Sequence, residues 1–295
     1  MTKKAETDTT TVPQVETVAA LRDRVATWRN AGLRIGFVPT MGALHQGHLS
    51  LVDYARDHAD RVVVSIFVNP KQFGPSEDFD RYPRQLAEDR AKLATVGTDL
   101  LYAPSVAEMY PEGFSTTVSV AGVTEGLCGA SRPGHFDGVA TVVTKLLLQA
   151  QADVAVFGEK DYQQYLTLKR LVQDLDIPTR ILPGPTVRDA DGLAMSSRNA
   201  YLSAPEREIA LALPRTLTRM VEVLEAGQDD IDAVLRQGRA ALQEAGITQV
   251  EYLELRDAET LRPVTRLTAP ARVLAAVRVG QTRLIDNMAV TPPRR

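Results

Sequence analysis

Residues 33–69 read LRIGFVPTMGALHQGHLSLVDYARDHADRVVVSIFVN, and three segments within them set the fold. LRIGFVP (33–39) is an apolar run of the length of a buried strand. HLSLVDYARDHAD (48–60) carries its apolar residues at helical spacing. RVVVSIFVN (61–69) is β-branched and apolar, closed by Asn69-Pro70, and is the strongest strand signal in the chain. Between the first strand and the helix lies PTMGALHQGH, in which His45 and His48 stand three residues apart around Gly47.

The alternation continues in both directions. VETVAALRDRVATWRNAG (15–32) predicts a helix ending on Gly32, and RQLAEDRAKLATVG (84–97) a second helix ending on Gly97. DLLYAP (99–104) predicts a short strand, GVATVVTKLLLQAQ (138–151) a helix and ADVAVFG (152–158) a strand. EKDYQQYLTLKRLVQDL (159–175) predicts a helix and TRILPGP (179–185) the next strand. Such alternation implies a parallel sheet covered by helices on both faces, a Rossmann-like doubly wound α/β domain over 15–185. Beyond about residue 186 the pattern changes to helices at 204–227 and 229–246, with Pro214 as a kink or tolerated break. Strands at 250–257, 271–280 and 282–290 follow, the last two joined by a tight turn at Gly280-Gln281. This is the pattern of a smaller α+β domain over 186–295, a candidate lid. The polar, Thr-rich residues 1–14 read as a disordered tail without a secretory signal.

Composition narrows the function classes. The chain has 295 residues, 44% apolar and 24% charged, as in a soluble globular protein. Its 34 basic and 37 acidic side chains give a formal charge of −3, which argues against a nucleic-acid partner. Local basic sites for a small anion stay open. The single cysteine, Cys128, excludes an internal disulfide and fits a reducing cytoplasm. No stretch approaches a membrane span.

In a doubly wound sheet, ligands bind at the carboxyl ends of the strands. PTMGALHQGH, FVNPKQFG (67–74), FGEKDYQQ (157–164) and PTVRDADGLAMSSRN (185–199) all follow strands, and they are expected to converge on one cleft. The histidine pair opens a helix, where free N–H groups and the helix dipole attract anions. Imidazoles there can donate to phosphate and stabilise charge that develops on it. Capping or surface histidines are the plain alternative. A metal site would need further ligands, yet only His58 and His135 remain and H-E-x-x-H is absent. Lys160, just past a strand, can reach phosphate, as can Ser196, Ser197 and Arg198. Asn69, Gln72 and Gln164 are amides suited to hydroxyl and carboxylate groups. Neither G-x-x-x-x-G-K-[ST] nor G-x-G-x-x-G occurs.

H-x-G-H after the first strand resembles the signature of the nucleotidyltransferase superfamily that includes class I aminoacyl-tRNA synthetases, and MSSRN resembles its second, phosphate-binding signature. Within it, PTMGALHQGHLSLV, SIFVNPKQFG, RPGHFDGV, FGEKDYQQ, DGLAMSSRN, YLELRD and TRLIDN resemble, in order, the blocks of the pantoate–β-alanine ligases over roughly 20–290. The resemblance implies an ATP-dependent condensation of pantoate with β-alanine through an acyl adenylate, with Mg2+ accompanying ATP. It implies that His45, His48 and Lys160 are catalytic and that His48 is the assigned proton donor. Met41, Gly42, Ala43, Leu44, Gln46 and Gly47 would line the nucleotide site with the two histidines. Gly158, Glu159, Lys160 and Asp161 would join them, as would Val187, Met195, Ser196, Ser197 and Arg198. Gln72 and Gln164 would bind pantoate and β-alanine, with Asn69 and Arg132 in support. Asp89, by its place in the acidic helix 84–97, is the candidate magnesium ligand. A cytoplasmic homodimer is implied, with SIFVN and its neighbours as candidate interface, and Asp189–Gly192 as a hinge permitting closure.

Overall fold

The computed structural model describes residues 11–75 and 77–293. They divide into two compact units. One comprises the chain through Ser119 with Asp137–Phe157 and Leu171–Gly184, the other Val120–Phe136, Gly158–Arg170 and Pro185–Arg295. A single cut at 185 therefore misses two segments, 120–136 and 158–170, that group with the C-terminal part. The reason for the second is visible in its bonding: the Asn287 amide donates to the carbonyls of Glu159 and Lys160.

The chain opens with β1 (Gln14–Val15) and α1 (Val18–Asn30), which Thr17 caps by accepting the Ala20 N–H. Then follow β2 (Ile35–Thr40), α2 (Gln46–Arg56), β3 (Arg61–Ile66), α3 (Leu86–Thr95), β4 (Leu100–Tyr102) and the short α4 (Val106–Met109). After α5 (Leu127–Ser131) come α6 (His135–Ala150), β5 (Val154–Gly158), α7 (Tyr162–Asp174) and β6 (Arg180–Gly184). The strands form one six-stranded parallel sheet in the order β1-β4-β3-β2-β5-β6. The order reverses at β2, which pairs with β3 on one side (Phe37↔Val63) and β5 on the other (Phe37↔Ala155). Val38, Val52, Ala55, Val62, Val64, Leu101 and Val156 form a core between this sheet and α2, each at 1% exposure or less. The continuous apolar strands of the sequence are thus explained by burial on both faces.

Two expectations change here. Residues 1–10 of the expected disordered tail lie outside the described residues, but Val12 is buried and Gln14–Val15 pair in parallel with β4. The edge of β4 recruits this polar segment through backbone bonds, Leu101 N–H to Pro13 C=O at 2.8 Å and Ala103 N–H to Val15 C=O at 2.9 Å, so its side chains give no sign of it. SIFVN offers an interface less side-chain surface than its apolar run suggests, with only Ile66 and Val68 half-buried. β3 is interior to the sheet, and Ser65, Phe67 and Asn69 are buried.

In the second unit, the helix expected over 204–227 is two: α8 (Ala204–Ala210) and α9 (Ala212–Glu225), broken at Leu211. Pro214 lies in the first turn of α9, where its missing N–H costs no helical bond. α10 (Ile231–Glu244) packs on α9 through Gly238, where a Cβ would stand 2.6 Å from the Met220 sulfur. β7 (Gln249–Asp257), β8 (Ala271–Val279) and β9 (Thr282–Val290) form an antiparallel sheet in sequence order. β8 and β9 close on Val279↔Thr282, leaving Gly280-Gln281 as a two-residue turn with Gly280 at φ 54°. Leu217, Met220, Leu242, Val273 and Val277 fill the core of this unit. Among the described residues no helix is long and apolar enough to cross a membrane.

Candidate active site

The histidine turn is built in the first unit. Thr40 ends β2 and its hydroxyl donates to the Ser65 carbonyl at 2.9 Å and accepts the Gly42 N–H. Gly42 and Ala43 then take positive φ, 83° and 51°. A Cβ on Gly42 would meet an Asp89 oxygen at 3.0 Å, so glycine serves both the turn and the close approach. Asp89 is fully buried on α3 and accepts the N–H groups of Ala43 and Leu44, one on each oxygen, both at 2.8 Å. Lys92, one turn further along α3, donates to the Leu44 carbonyl at 2.8 Å. The sequence assigned Asp89 to magnesium; in the structure it braces the turn instead, its oxygens committed to backbone amides in a place without solvent.

His45 caps α2. Its Nδ1 accepts the Gly47 N–H at 3.1 Å, and the His48 Nδ1 accepts the His45 N–H at a longer 3.4 Å. The rings lie 4.1 Å apart at 41°. When Nδ1 accepts, a neutral imidazole carries its proton on Nε2. Both rings are thereby held as Nε2–H donors at the start of a helix, the form that suits a phosphate oxygen. Capping and phosphate binding, taken as alternatives from sequence, are compatible because they use different nitrogens.

Beside this turn, Asn69 is 1% exposed and fully engaged. Its amide donates to Gln72 Oε1 and to the Gly138 carbonyl, each at 3.1 Å, and its Oδ1 accepts the Tyr110 hydroxyl at 2.8 Å. Burial pushes the Tyr110 phenol up to about 12, so it remains a donor at ordinary pH. Gln72 Nε2 in turn donates to the Met41 sulfur at 2.9 Å. Asn69 thus orients Gln72, and Gln72 reaches back to the histidine turn.

The second unit holds the other expected residues. Lys160, Asp161, Gln164 and Arg132 line one cavity of about 40 Å³, together with His135, Asp286 and Asn287. Glu159–Asp161 form a single 3-10 turn after Gly158. Arg132 Nη1 and His135 Nε2 are 2.9 Å apart. Val187 and Met195 are joined by a Met195 N–H to Val187 C=O bond of 3.0 Å. Ser196 caps the 3-10 helix Ser197–Tyr201 by accepting the Arg198 N–H. The preceding loop is tied down within its own unit. Arg188 and Ala194 form a bridge, and Arg207 on α8 holds Asp189 at 2.8 Å and Asp191 at 2.7 Å. Burial works against ionisation of Asp191, but the hydrogen bonds from Arg207 and the Leu193 N–H, together with the Arg207 charge, outweigh it and hold the carboxyl below its ordinary range. Asp189 and Asp191, in the stretch expected to permit closure, anchor a clamped hairpin. Among the described residues no cluster of three or more histidine, cysteine or acidic side chains could hold a metal ion.

Sequence reasoning did not assign His135, Arg188, Asp286 or Asn287 to a site. RPGHFDGV and TRLIDN were visible as blocks, but nothing local to them shows what they bond.

A sequence profile for the family described as Pantoate-beta-alanine ligase matches residues 13–289. The chain belongs to the pantoate-beta-alanine ligase family. It is an enzyme of the ligase class. It is 58% identical over 283 residues to the pantothenate synthetase of Paramagnetospirillum magneticum, covering 96% of this chain and 99% of that one. The Caulobacter vibrioides pantothenate synthetase is 57% identical over 94% and 98% of the two chains. The crystal structure of pantothenate synthetase from Thermus thermophilus superposes with a TM-score of 0.89 at 50% identity, covering 95% and 100%. That of the Francisella tularensis pantoate-beta-alanine ligase, solved with beta-gamma ATP and beta-alanine, gives 0.73 at 36% over 94% and 97%.

Proposed function

We propose that this ligase joins pantoate to β-alanine in two steps through a pantoyl adenylate. The observation that carries the reading is the pair of imidazoles held as Nε2–H donors at the N-terminus of α2, just after the strand where the sheet order reverses. In the first step a pantoate carboxylate oxygen attacks the α-phosphorus of ATP, an O–P bond forms, and the bond to pyrophosphate breaks. In the second the β-alanine nitrogen attacks the acyl carbon, AMP leaves with the former carboxylate oxygen, and the amine loses a proton.

Every reactant of the first step is anionic, so the residues must neutralise charge and align the partners. His45 and His48 serve as donors to the phosphates. Lys160 bridges phosphate and the pantoate carboxylate. Ser196, Ser197 and Arg198 hold the polyphosphate, with Met195 and the Val187 backbone at the nucleotide. Gln72, oriented by Asn69, and Gln164 take the pantoate hydroxyl and carboxylate groups, with Arg132 in support. The first step requires no proton on pyrophosphate, so His48 acts as a charge stabiliser and hydrogen-bond donor. Magnesium enters as the ion carried by the triphosphate, and Asp89 is not among its ligands. The working form in this reading is a cytoplasmic homodimer.

The test is to incubate protein, ATP, magnesium and pantoate, follow pyrophosphate, then add β-alanine and follow AMP. Pyrophosphate release before β-alanine, and AMP after it, is expected. Pyrophosphate that appears only with β-alanine would overturn the adenylate order.

A further inference from the structure

Asp286 and Asn287 are consecutive residues of β9, only 2% and 6% exposed, and neither has a part in the function just described. Their partners are the two segments assigned to the phosphates. Asp286 receives a bidentate ion pair from Arg188, at 2.7 and 2.9 Å. Arg188 begins the bridge that closes the 188–194 hairpin, and its Nη1 also donates to the Gly192 carbonyl at 3.1 Å. Asp286 therefore grips both arms of the hairpin through one guanidinium, and the hairpin delivers Met195 and Ser196–Arg198.

Asn287 holds the other segment. Its Nδ2 donates to the carbonyls of Glu159 at 3.0 Å and Lys160 at 2.8 Å. Its Oδ1 accepts from Arg272 at 2.7 Å, and Arg272 also reaches the Glu159 carboxylate at 3.5 Å and lies over the Tyr162 ring at 3.8 Å. The side chain thus spends its donors on backbone that flanks Lys160 and has its acceptor taken by an arginine. Successive side chains on a strand leave in opposite directions, so one dipeptide can hold two segments that a single side chain could not. The Asn287 N–H to Asp286 Oδ1 bond, 2.7 Å, ties the two grips together.

We propose that Asp286-Asn287 is a positioning splint, which sets the spacing between Lys160 and the Ser196–Arg198 loop. Neither residue touches substrate in this reading; Asn287 acts through Lys160, and Asp286 acts through Arg188 on Arg198. The proposal rests on the assignment of Lys160 and Arg198 to the phosphates.

The experiment measures pantoate-dependent exchange of pyrophosphate into ATP for the full chain, for Asn287→Ala, for Lys160→Ala and for the double variant. Asn287→Ala should lower kcat about tenfold, and the loss should shrink below about twofold once Lys160 is absent, because residues that act as a unit are not additive. Asp286→Asn should raise the KM for ATP, an effect that disappears in an Arg198→Ala background. A loss of the same size with and without Lys160 overturns the splint, since a general folding defect multiplies with the loss of Lys160. Should Asn287→Ala fail to fold, the near-isosteric Asn287→Asp gives the same comparison; it keeps the acceptor for Arg272 and removes both donors. Absence of exchange in the unaltered protein, or full exchange in Lys160→Ala, overturns the functional reading itself and the splint with it.

Discussion

The histidine turn and the 188–198 hairpin loop are both short polar segments assigned to phosphate, and the chain holds them by opposite means. The turn is held through its backbone: Asp89 accepts two N–H groups and Lys92 donates to one carbonyl. The hairpin is held through charge, by Arg188 on Asp286 and Arg207 on Asp189 and Asp191. A backbone cradle fixes φ and ψ, which suits rings that must present one nitrogen. Ion pairs fix whole arms, which suits a loop whose backbone is already closed by its own bridge. The cradle should therefore fail by degrees and the buried ion pair all at once.

Removing Arg188 should have the largest effect. Asp286 has 1% side-chain exposure and would be left as an uncompensated buried charge, so Arg188→Ala should cost about 3–5 kcal/mol in a denaturant melt. An unchanged midpoint would show that solvent reaches Asp286 and that the contrast is misplaced. His48→Ala should come next, with the loss in turnover and little in stability. Removing a donor to developing charge lowers kcat roughly 100- to 1000-fold, while the KM for pantoate should stay near its starting value; raised KM with unchanged kcat would contradict the stabiliser role.

Asp89→Asn should be milder. One amide loses its acceptor, at a cost of about 1–3 kcal/mol, and Asp89→Ala should cost more than Asn because both amides are orphaned. Equal costs for the two would mean that the oxygens do not act separately. The smallest effect belongs to the exposed clamp. The Asp191 carboxyl is held below its ordinary value of about 3.9. Its contribution is therefore complete above that value and lost as the pH falls through the lower, folded value. The melting-temperature gap between the unaltered chain and Arg207→Ala should be small near pH 7 and should close as the pH falls through the lowered, folded value. A gap that widens on acidification would reverse the sign.

How much of this could be read from residues alone depends on what each feature bonds to. The order of elements in the first unit follows from apolar runs and helical spacing, because burial on both faces leaves its mark on composition. The 14–15 strand left no such mark, since it pairs through backbone alone. The break at Leu211 was placed at Pro214 because proline is the visible breaker, although in the first turn of α9 it breaks nothing. His45, His48, Lys160 and Ser196–Arg198 are proposed for the site from sequence because phosphate chemistry calls for those residue types in short motifs. Asp89 was misassigned because an acidic residue on an acidic helix looks the same whether it faces a metal or two amides.

Residue order alone was enough for the strand–helix alternation, the family, and the residues expected to carry charge to the phosphates, because these depend on short-range pattern and side-chain chemistry. It took the folded chain to establish that the Nδ1 of each histidine accepts a backbone N–H, and that Asp89 braces a turn 46 residues away. The same holds for Asp189 and Asp191, which Arg207 clamps, and for Asp286-Asn287, which joins two segments 98 to 128 residues distant. Beyond the histidine caps, each of these is a hydrogen bond or ion pair between residues well separated in the chain, and such pairing has no period for a sequence to display.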